Sequence, residues 1–374
     1  MAGIKRSCGN YIVDEMNGAV SIKEDLLMRD ISVVIPVYNG ASLLASCIDS
    51  INSAGKRVSE IIIVDDGSID ETLKMANNLA DKDSRIKVVH TDNRGTYMAR
   101  TTGMIAATAA YVTSIDADDR YVAGCLDYLA ELLEEQNADV AMGKLIETDN
   151  LDESENSYKI SQQAQYTVKI STDDQMWPRI MKWKTQEFVS YINKLYRKDV
   201  LPDFVEGDGI CQGEDVLITC QSFLNVKKIV ETDAPMYLYY LNPQSLTHVA
   251  FGDHDLDVIR VWDKVVDIMK EERMDLLPMA QFNRWRTDFT MITRLILVND
   301  KEMDRKYAEQ VSKWRNGLKL HWKDLVAPHA MPKSREMLVL SLRFFFTPTK
   351  CLLRLGRKLT KQDTSVILHS GDKR

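Results

Sequence analysis

Apolar residues run almost unbroken through Ile31-Ser32-Val33-Val34-Ile35-Pro36-Val37 and again from Val58 to Val64, with β-branched residues dominant in both. Such runs predict strands buried on both faces. Pro36 falls at the end of the first run, where a strand tolerates a missing N–H. Between the two runs Leu43, Leu44, Cys47, Ile48 and Ile51 recur at helical spacing. The alternation continues. Asp70-Glu71-Thr72 opens a helix with Leu73, Ala76, Leu79 and Ala80 on one face, and Arg85 to His90 reads as a strand. A helix from about Thr96 to Thr108 leads into the apolar run Ala109 to Thr113, and another helical pattern starts near Val122. Strands alternating with helices predict an α/β fold, a mainly parallel sheet flanked by helices on both faces. Ligands of such sheets bind beyond the carboxyl ends of the strands. The polar turns at Tyr38, Asp66 and Asp118 are therefore expected along one edge.

Further on the regularity breaks. Residues 147 to 176 are rich in Asp, Glu, Ser and Gln and read as an exposed insertion or mobile loop. An apolar run, Phe188 to Tyr196, follows, and Gly213-Glu214-Asp215 opens an apolar helix. Lys227 to Val230 and Met236 to Leu241 read as two short strands, and Asn242 to His248 as a loop. From about residue 252 the pattern is helical without strands. The division expected is an N-terminal extension at 1–29, an α/β domain at 30–250, a helical region at 251–336 and a basic, apolar tail at 337–374.

The net charge of −7 over 374 residues argues against nucleic acid as the main partner. It leaves room for a phosphorylated ligand accompanied by a divalent metal. The tail runs against that balance, with eight basic and two acidic residues from Met337 to Arg374. Its leucines and cations suit the surface of an anionic membrane, or equally a helix packed on its own domain or on a second subunit. Six cysteines lie without a C-x-x-C pair and read as reduced thiols. No apolar run follows Lys5 and Arg6, and none approaches the roughly 20 residues that span a bilayer. The expected location is the cytoplasm, at the inner face of the plasma membrane if the tail is an anchor.

The candidate chemistry centres on Ser114-Ile115-Asp116-Ala117-Asp118-Asp119-Arg120, where a strand ends. In extended backbone residues i and i+2 share a side, so Asp116 and Asp118 can converge. Two hard oxygen ligands with open positions suit Mg²⁺ or Mn²⁺ held jointly with a diphosphate. A polar turn capping the next helix is the plainer reading. Glu214 and Asp215 likewise suit a helix N-terminus. Neither a G-x-G-x-x-G after the first strand nor a glycine-lysine phosphate loop is present.

Taken together, Val34 to Asn39, Val64-Asp65-Asp66-Gly67-Ser68-Ile69-Asp70, Asn93-Arg94-Gly95-Thr96-Tyr97-Met98-Ala99-Arg100, Asp116 to Asp119 and Gly213 to Asp215 resemble the family 2 glycosyltransferases, which have the nucleotide-sugar-binding fold called GT-A. The resemblance spans Ile31 to about His248. It implies that Tyr38 lies against a uracil or other base and that Asp66, supported by Asp65, accepts from the base ring N–H. Pro36, Gly95, Arg100 and Glu214 fall within the matching motifs as nucleotide- or substrate-binding candidates. Asp118 is the implied direct metal ligand, with Asp116 beside it; Asp116 or Asp119 contacts the ribose. His248 is a candidate last metal ligand, and Ser245 lies in the same donor-covering stretch. Asp215 matches the catalytic base of an inverting, single displacement. Where many relatives have Ala-Arg-Asn, this chain has Ala99-Arg100-Thr101, and the helical C-terminal region lies outside the pattern.

The implied activity is transfer of a sugar from a nucleotide-sugar, a UDP-sugar first, to a glycan or lipid-linked acceptor, as in capsule, lipopolysaccharide or other surface-polysaccharide synthesis. An oligomer is compatible with it. The competing reading is a nucleotide-sugar-binding or scaffold protein that kept the fold and lost the reaction; intact Asp118 and Asp215 speak against it. A nucleotidyltransferase on a similar sheet would show a glycine-rich, basic loop after the first strand, and none is present.

Overall fold

Ile31–Val37 is fully buried and carries the sheet's alternation most clearly. In a strand successive side chains face opposite sides. Ile31, Val33 and Ile35 join one apolar cluster, with Leu44, Ile48, Leu126 and Leu129. Val34 joins the other, with Ile62, Val64, Tyr97 and Met104. A core on each face requires helices on each face, and the chain supplies them.

The computed structural model describes residues 7–8, 11–14, 19–21, 31–161, 164–182, 186–241, 251–327 and 330–360. Strands β1 (Ser7–Cys8), β2 (Tyr11–Asp14) and β3 (Ala19–Ser21) form a small antiparallel sheet of their own. The main sheet begins with β4 (Ile31–Val37), α1 (Leu44–Ala54), β5 (Val58–Asp66), α2 (Thr72–Ala80), β6 (Ile86–Thr91), α3 (Thr96–Ala106) and β7 (Tyr111–Ser114). It continues with β8 (Arg120–Tyr121), α4 (Cys125–Glu135), β9 (Val140–Thr148), α5 (Leu151–Ser157), β10 (Val168–Thr172), α6 (Asp173–Lys182), α7 (Gln186–Val189), β11 (Lys194–Arg197), α8 (Glu214–Ser222) and β12 (Lys228–Tyr240). The strand order is β10-β12-β9-β11-β7-β4-β5-β6, with β8 paired to β12.

The sheet is mixed. β7, β4, β5 and β6 pair in parallel, as the repeating strand–helix pattern predicts. β11 enters antiparallel to both β7 and β9, β10 and β8 run antiparallel to β12, and β9 and β12 again pair in parallel. The sheet is therefore mainly parallel as expected, with β8, β10 and β11 as its antiparallel strands.

Three readings of the sequence need correction. The polar stretch at 147–176 contains helix α5 and the edge strand β10. In β10 Val168 and Ile170 face solvent, whereas Ser171 is buried and donates to Glu231 Oε1 at 2.6 Å. The two short strands expected at 227–241 are one strand, β12, which passes Pro235 by shifting register between Glu231 and Tyr237. Asp65 and Asp66 are the last residues of β5, not part of the turn after it.

Beyond the sheet lie α9 (Asp257–Glu272), α10 (Leu277–Val298), α11 (Lys301–Lys306), α12 (Ala308–Val326), α13 (Lys333–Phe344) and α14 (Phe346–Thr360). α9 packs on α8, and its Val261, Trp262 and Val265 belong to the sheet's core. The later helices enclose a separate cluster that includes Phe289, Ile292, Trp314, Leu318, Val339 and Leu342. Here the packed-helix reading of residues after 337 holds for Val339 and Leu342.

Gly103 marks the tightest approach of a helix to the sheet. A Cβ there would lie 2.3 Å from Val34 Cγ1 and 3.0 Å from Val64 Cγ2. Both valines are stiff at χ1 and fully buried. Gly103→Ala gains about 1 kcal/mol of helix propensity, but overpacking costs about 1–3 kcal/mol. We expect net destabilisation, read as a lower urea midpoint at unchanged slope.

Candidate active site

The carboxyl ends of β4, β5 and β7 open on one edge, and short polar segments knit them together. After β4, Asn39 adopts φ 51°, a left-handed conformation that asparagine tolerates. Its N–H donates to Ser68 Oγ at 2.9 Å, and its Oδ1 accepts from Ile69 N at 2.9 Å. Pro36 is buried, while Tyr38 stands half-exposed after the end of β4. At the end of β5, Asp65 accepts from Ser68 N at 3.2 Å and meets His90 Nδ1 at 2.7 Å. Asp66 accepts from Arg94 N at 2.8 Å and Gly95 N at 2.9 Å, so it fastens the loop that enters α3. Gly95 has φ 89°, and a Cβ on it would come within 2.8 Å of the Ile210 carbonyl. The structure thus gives Gly95 a packing reason, close contact with the 209–211 backbone.

Arg100, on α3, is the centre of the site. Its side chain is almost wholly buried, and it reaches carboxylates from two other elements. Nη2 lies 2.5 Å from Asp116 Oδ1; Nη1 lies 3.1 Å from Asp215 Oδ1 and 3.5 Å from Glu214 Oε1. Three carboxylates share this guanidinium. Asp215 Oδ2 also accepts from Ser190 Oγ at 3.3 Å. Gly213, at φ 78°, turns the chain so that Glu214 and Asp215 begin α8 side by side.

Burial dominates the electrostatics of this pair. It pushes Glu214 up to about 8, with the charge of Asp215 adding to the rise and Arg100 opposing it. Asp215 is also raised, again by burial first, with Arg100 and Lys194 pulling it back.

Asp116 and Asp118 follow β7 and are both partly exposed, whereas Asp119 is enclosed. Its Oδ2 accepts from Tyr237 Oη at 2.6 Å and its Oδ1 from Tyr240 N at 2.8 Å. Tyr237 Oη in turn accepts from Asp116 N at 3.1 Å. Asp119, a ribose candidate alongside Asp116, ties the loop to β12 through both its oxygens. His248 and Ser245 lie outside the described residues. Among the described residues no three His, Cys, Asp or Glu side chains converge as a metal site. The hard carboxylate oxygens of Asp116 and Asp118 fit a divalent cation only as part of a set completed by other donors, such as diphosphate oxygens.

Ser190 and Lys194 escaped the reading of the sequence. Lys194 is fully buried in β11 and donates to Asn193 Oδ1 at 2.9 Å and to the Ser190 carbonyl. A lysine within the apolar run Phe188 to Tyr196 was the available signal, since lysine is almost never fully buried without a purpose.

A sheet whose parallel strands gather carboxylates at their carboxyl ends, with α8 bringing two more, defines a GT-A-type α/β fold. Residues 32–203, just under half of the chain, match the family model described as Glycosyl transferase family 2. Residues 32–203 thus resemble a domain of that family, and the relatives the chain matches carry glycosyltransferase names. It is 26% identical to the uncharacterized glycosyltransferase EpsJ of Bacillus subtilis, over 59% of this chain and 64% of EpsJ. It is 27% identical to the glycosyltransferase GlyG of Streptococcus pneumoniae, over 63% of this chain and 79% of GlyG. The chain thus spans less than two thirds of EpsJ. A structure of S. aureus TarS superimposes with a TM-score of 0.58 at 18% identity, covering 89% of this chain and 92% of that one. Another, of TarS in complex with UDP-GlcNAc, has a TM-score of 0.57 at 18% identity and covers 88% and 92%. The family match ends before α8, so Glu214 and Asp215 come from the segment after it.

Arg100→Met leaves three carboxylates facing one another without their shared cation. Removing one partner of a buried ion pair costs about 3–5 kcal/mol. A carboxylate whose folded-state proton affinity is raised favours folding at low pH and loses that contribution as pH rises through its folded value. The deficit should therefore be smallest near pH 5 and grow towards pH 8, the range into which Glu214 is already pushed. Urea unfolding of wild type and Arg100→Met at several pH values measures this; an equal deficit at every pH would contradict it.

Proposed function

We propose that this protein is an inverting, metal-dependent glycosyltransferase that moves a sugar from a UDP-sugar to a hydroxyl of a glycan or lipid-linked acceptor in surface-polysaccharide synthesis. The observation that carries the reading is the junction of Asp116, Glu214 and Asp215 through Arg100, at the edge where Tyr38 and Asp66 also lie. A non-catalytic binding protein has no use for a recessed carboxylate pair held beside the nucleotide edge. The UDP-GlcNAc complex of the fold neighbour TarS supports a UDP-sugar as donor.

In this reading residues 30–250 form the transferase domain, 251–336 a helical region and 337–374 a tail, with 1–29 an extension. The protein works in the cytoplasm, at the inner face of the plasma membrane. Tyr38 stacks on the base, and Asp66 positions the base as well as the loop behind it. Asp116 and Asp118 would hold the cation, which would offset charge on the diphosphate. Asp215 is the base. Arg100 fixes its Oδ1, while the longer bond from Ser190 leaves Oδ2 the freer oxygen to accept a proton. The acceptor oxygen forms a bond to the anomeric carbon as its proton passes to Asp215. The bond from that carbon to the β-phosphate oxygen breaks, and UDP leaves with the electron pair. Attack opposite the leaving group inverts the anomeric centre. Burial raises Glu214 to about 8, so it offers no competing ionised base beside Asp215 at neutral pH.

Asp215→Asn should lower kcat about a hundred- to ten-thousand-fold with UDP-sugar affinity changed only a few-fold, measured by UDP release with acceptor present. Glu214→Gln should keep most of the rate. Glu214, raised to about 8, is already neutral across the acid limb, so the substitution removes no charge there and the acid limb of the pH–rate profile should stay in place. If Glu214→Gln abolishes transfer while Asp215→Asn does not, the two roles are reversed.

For the metal, Asp118→Ala should weaken UDP binding in Mn²⁺ by calorimetry and change it little in EDTA. Equal losses in both conditions would point to a direct nucleotide contact instead.

A further inference from the structure

The last helix carries its charges and its leucines on unexpected sides. Lys350 and Arg354 of α14 face inward: Lys350 Nζ lies 2.9 Å and Arg354 Nη2 2.8 Å from Asp304 on α11, and Arg354 Nε donates to the Ile296 carbonyl at 3.1 Å. Leu352 and Leu355 face outward, 68% and 57% exposed. At the corner between α13 and α14, Phe345 is 65% exposed and Phe344 55%. A helix on a water-facing surface shows the opposite arrangement, apolar side in and charged side out. Drawing two cations out of water costs desolvation, and exposing leucines and phenylalanines gains nothing.

The surroundings of this face say what it meets. Trp322 of α12 packs edge-on against Phe344, with ring centroids 5.7 Å apart, so α12 borders the corner. On that helix Lys319 and Lys323 are exposed beside Leu320, itself 73% exposed. The sequence after Leu355 supplies Arg357, Lys358 and Lys361 in a chain that is acidic overall. Apolar and aromatic groups rimmed by cations complement a negatively charged lipid surface. Among the described residues no helix is long and apolar enough to cross a membrane. The contact is therefore one that lies on the bilayer.

We propose that the outward face of α14, with the Phe344–Phe345 corner, docks on an anionic membrane. Leu352, Leu355, Phe344 and Phe345 enter the headgroup–acyl boundary, and the lysines of α12 meet lipid phosphates. This names the surface behind the location given above. Its test reads lipid binding without any sugar transfer, so each can fail alone.

The experiment is co-sedimentation of the full chain with phosphatidylcholine vesicles, with and without phosphatidylglycerol. Binding is expected to the phosphatidylglycerol vesicles and to weaken as salt is raised. The double variant Leu352→Asp/Leu355→Asp should bind about tenfold or more weakly, since each leucine loses its apolar contact. Because these side chains are exposed in the protein alone, its thermal midpoint should stay near wild type; Phe345→Asp serves if the double variant does not fold. No binding to anionic vesicles, or equal binding by the variants, overturns the proposal. So does a wild-type dimer in sedimentation velocity that the variants dissociate without any vesicle binding, because the face then belongs to a second copy.

Discussion

A guanidinium with almost no access to water, shared by three carboxylates, holds the edge of this sheet together. Arg100 comes from α3, Asp116 from the end of β7, and Glu214 and Asp215 from the start of α8. No pair of these elements needs the others for its own backbone hydrogen bonds, so the side chains set their spacing. One positive charge against three negative ones leaves an excess that burial amplifies. The protein meets it partly by raising the proton affinity of Glu214 and Asp215. Buried Lys194, one segment away, pulls Asp215 back towards its ionised form. The balance leaves a carboxylate about a third exposed and oriented at both oxygens by Arg100 and Ser190.

The two halves of the sheet divide the structural labour. The parallel half presents Tyr38, Asp66 and Asp116 from consecutive strand ends, each fastened to the next loop by a side chain. The mixed half supplies the backing. Asp119 bonds Tyr237 and Tyr240 of β12, so the loop carrying Asp116 and Asp118 is anchored to a strand more than a hundred residues later.

Most of the parallel half was legible in the sequence, because strands buried on both faces leave unbroken β-branched runs and their helices leave a clean 3.6-residue stripe. β4 was readable to the residue, Ile31–Val37. The mixed half was not. β9 contains Gly143 and Lys144, which interrupt its apolar run. β10 turns Val168 and Ile170 outward at the sheet edge and buries Ser171, reversing the pattern a strand is recognised by. Asp233-Ala234-Pro235 reads as a turn, yet β12 carries it within the strand by a bulge. At the site, the carboxylates were nameable one by one from local motifs. Their meeting at Arg100 was not, since sequence separation hides which charges share a partner.

The insertion of β11 between β7 and β9 sets a schedule for the newborn chain. β7 ends at Ser114, and the strand that covers its open edge starts at Lys194. Synthesis proceeds at about 5–20 residues per second, so roughly 4–16 s pass in which the first four parallel strands can assemble with a bare edge of unpaired N–H and C=O groups. Such an edge invites pairing with other chains. The strand that closes it, Lys194-Leu195-Tyr196-Arg197, is short. The edge bearing Tyr38, Asp66 and Asp116 thus leaves the ribosome well before that strand, and Glu214 and Asp215, which share Arg100 with Asp116, follow only once the bare edge can be covered.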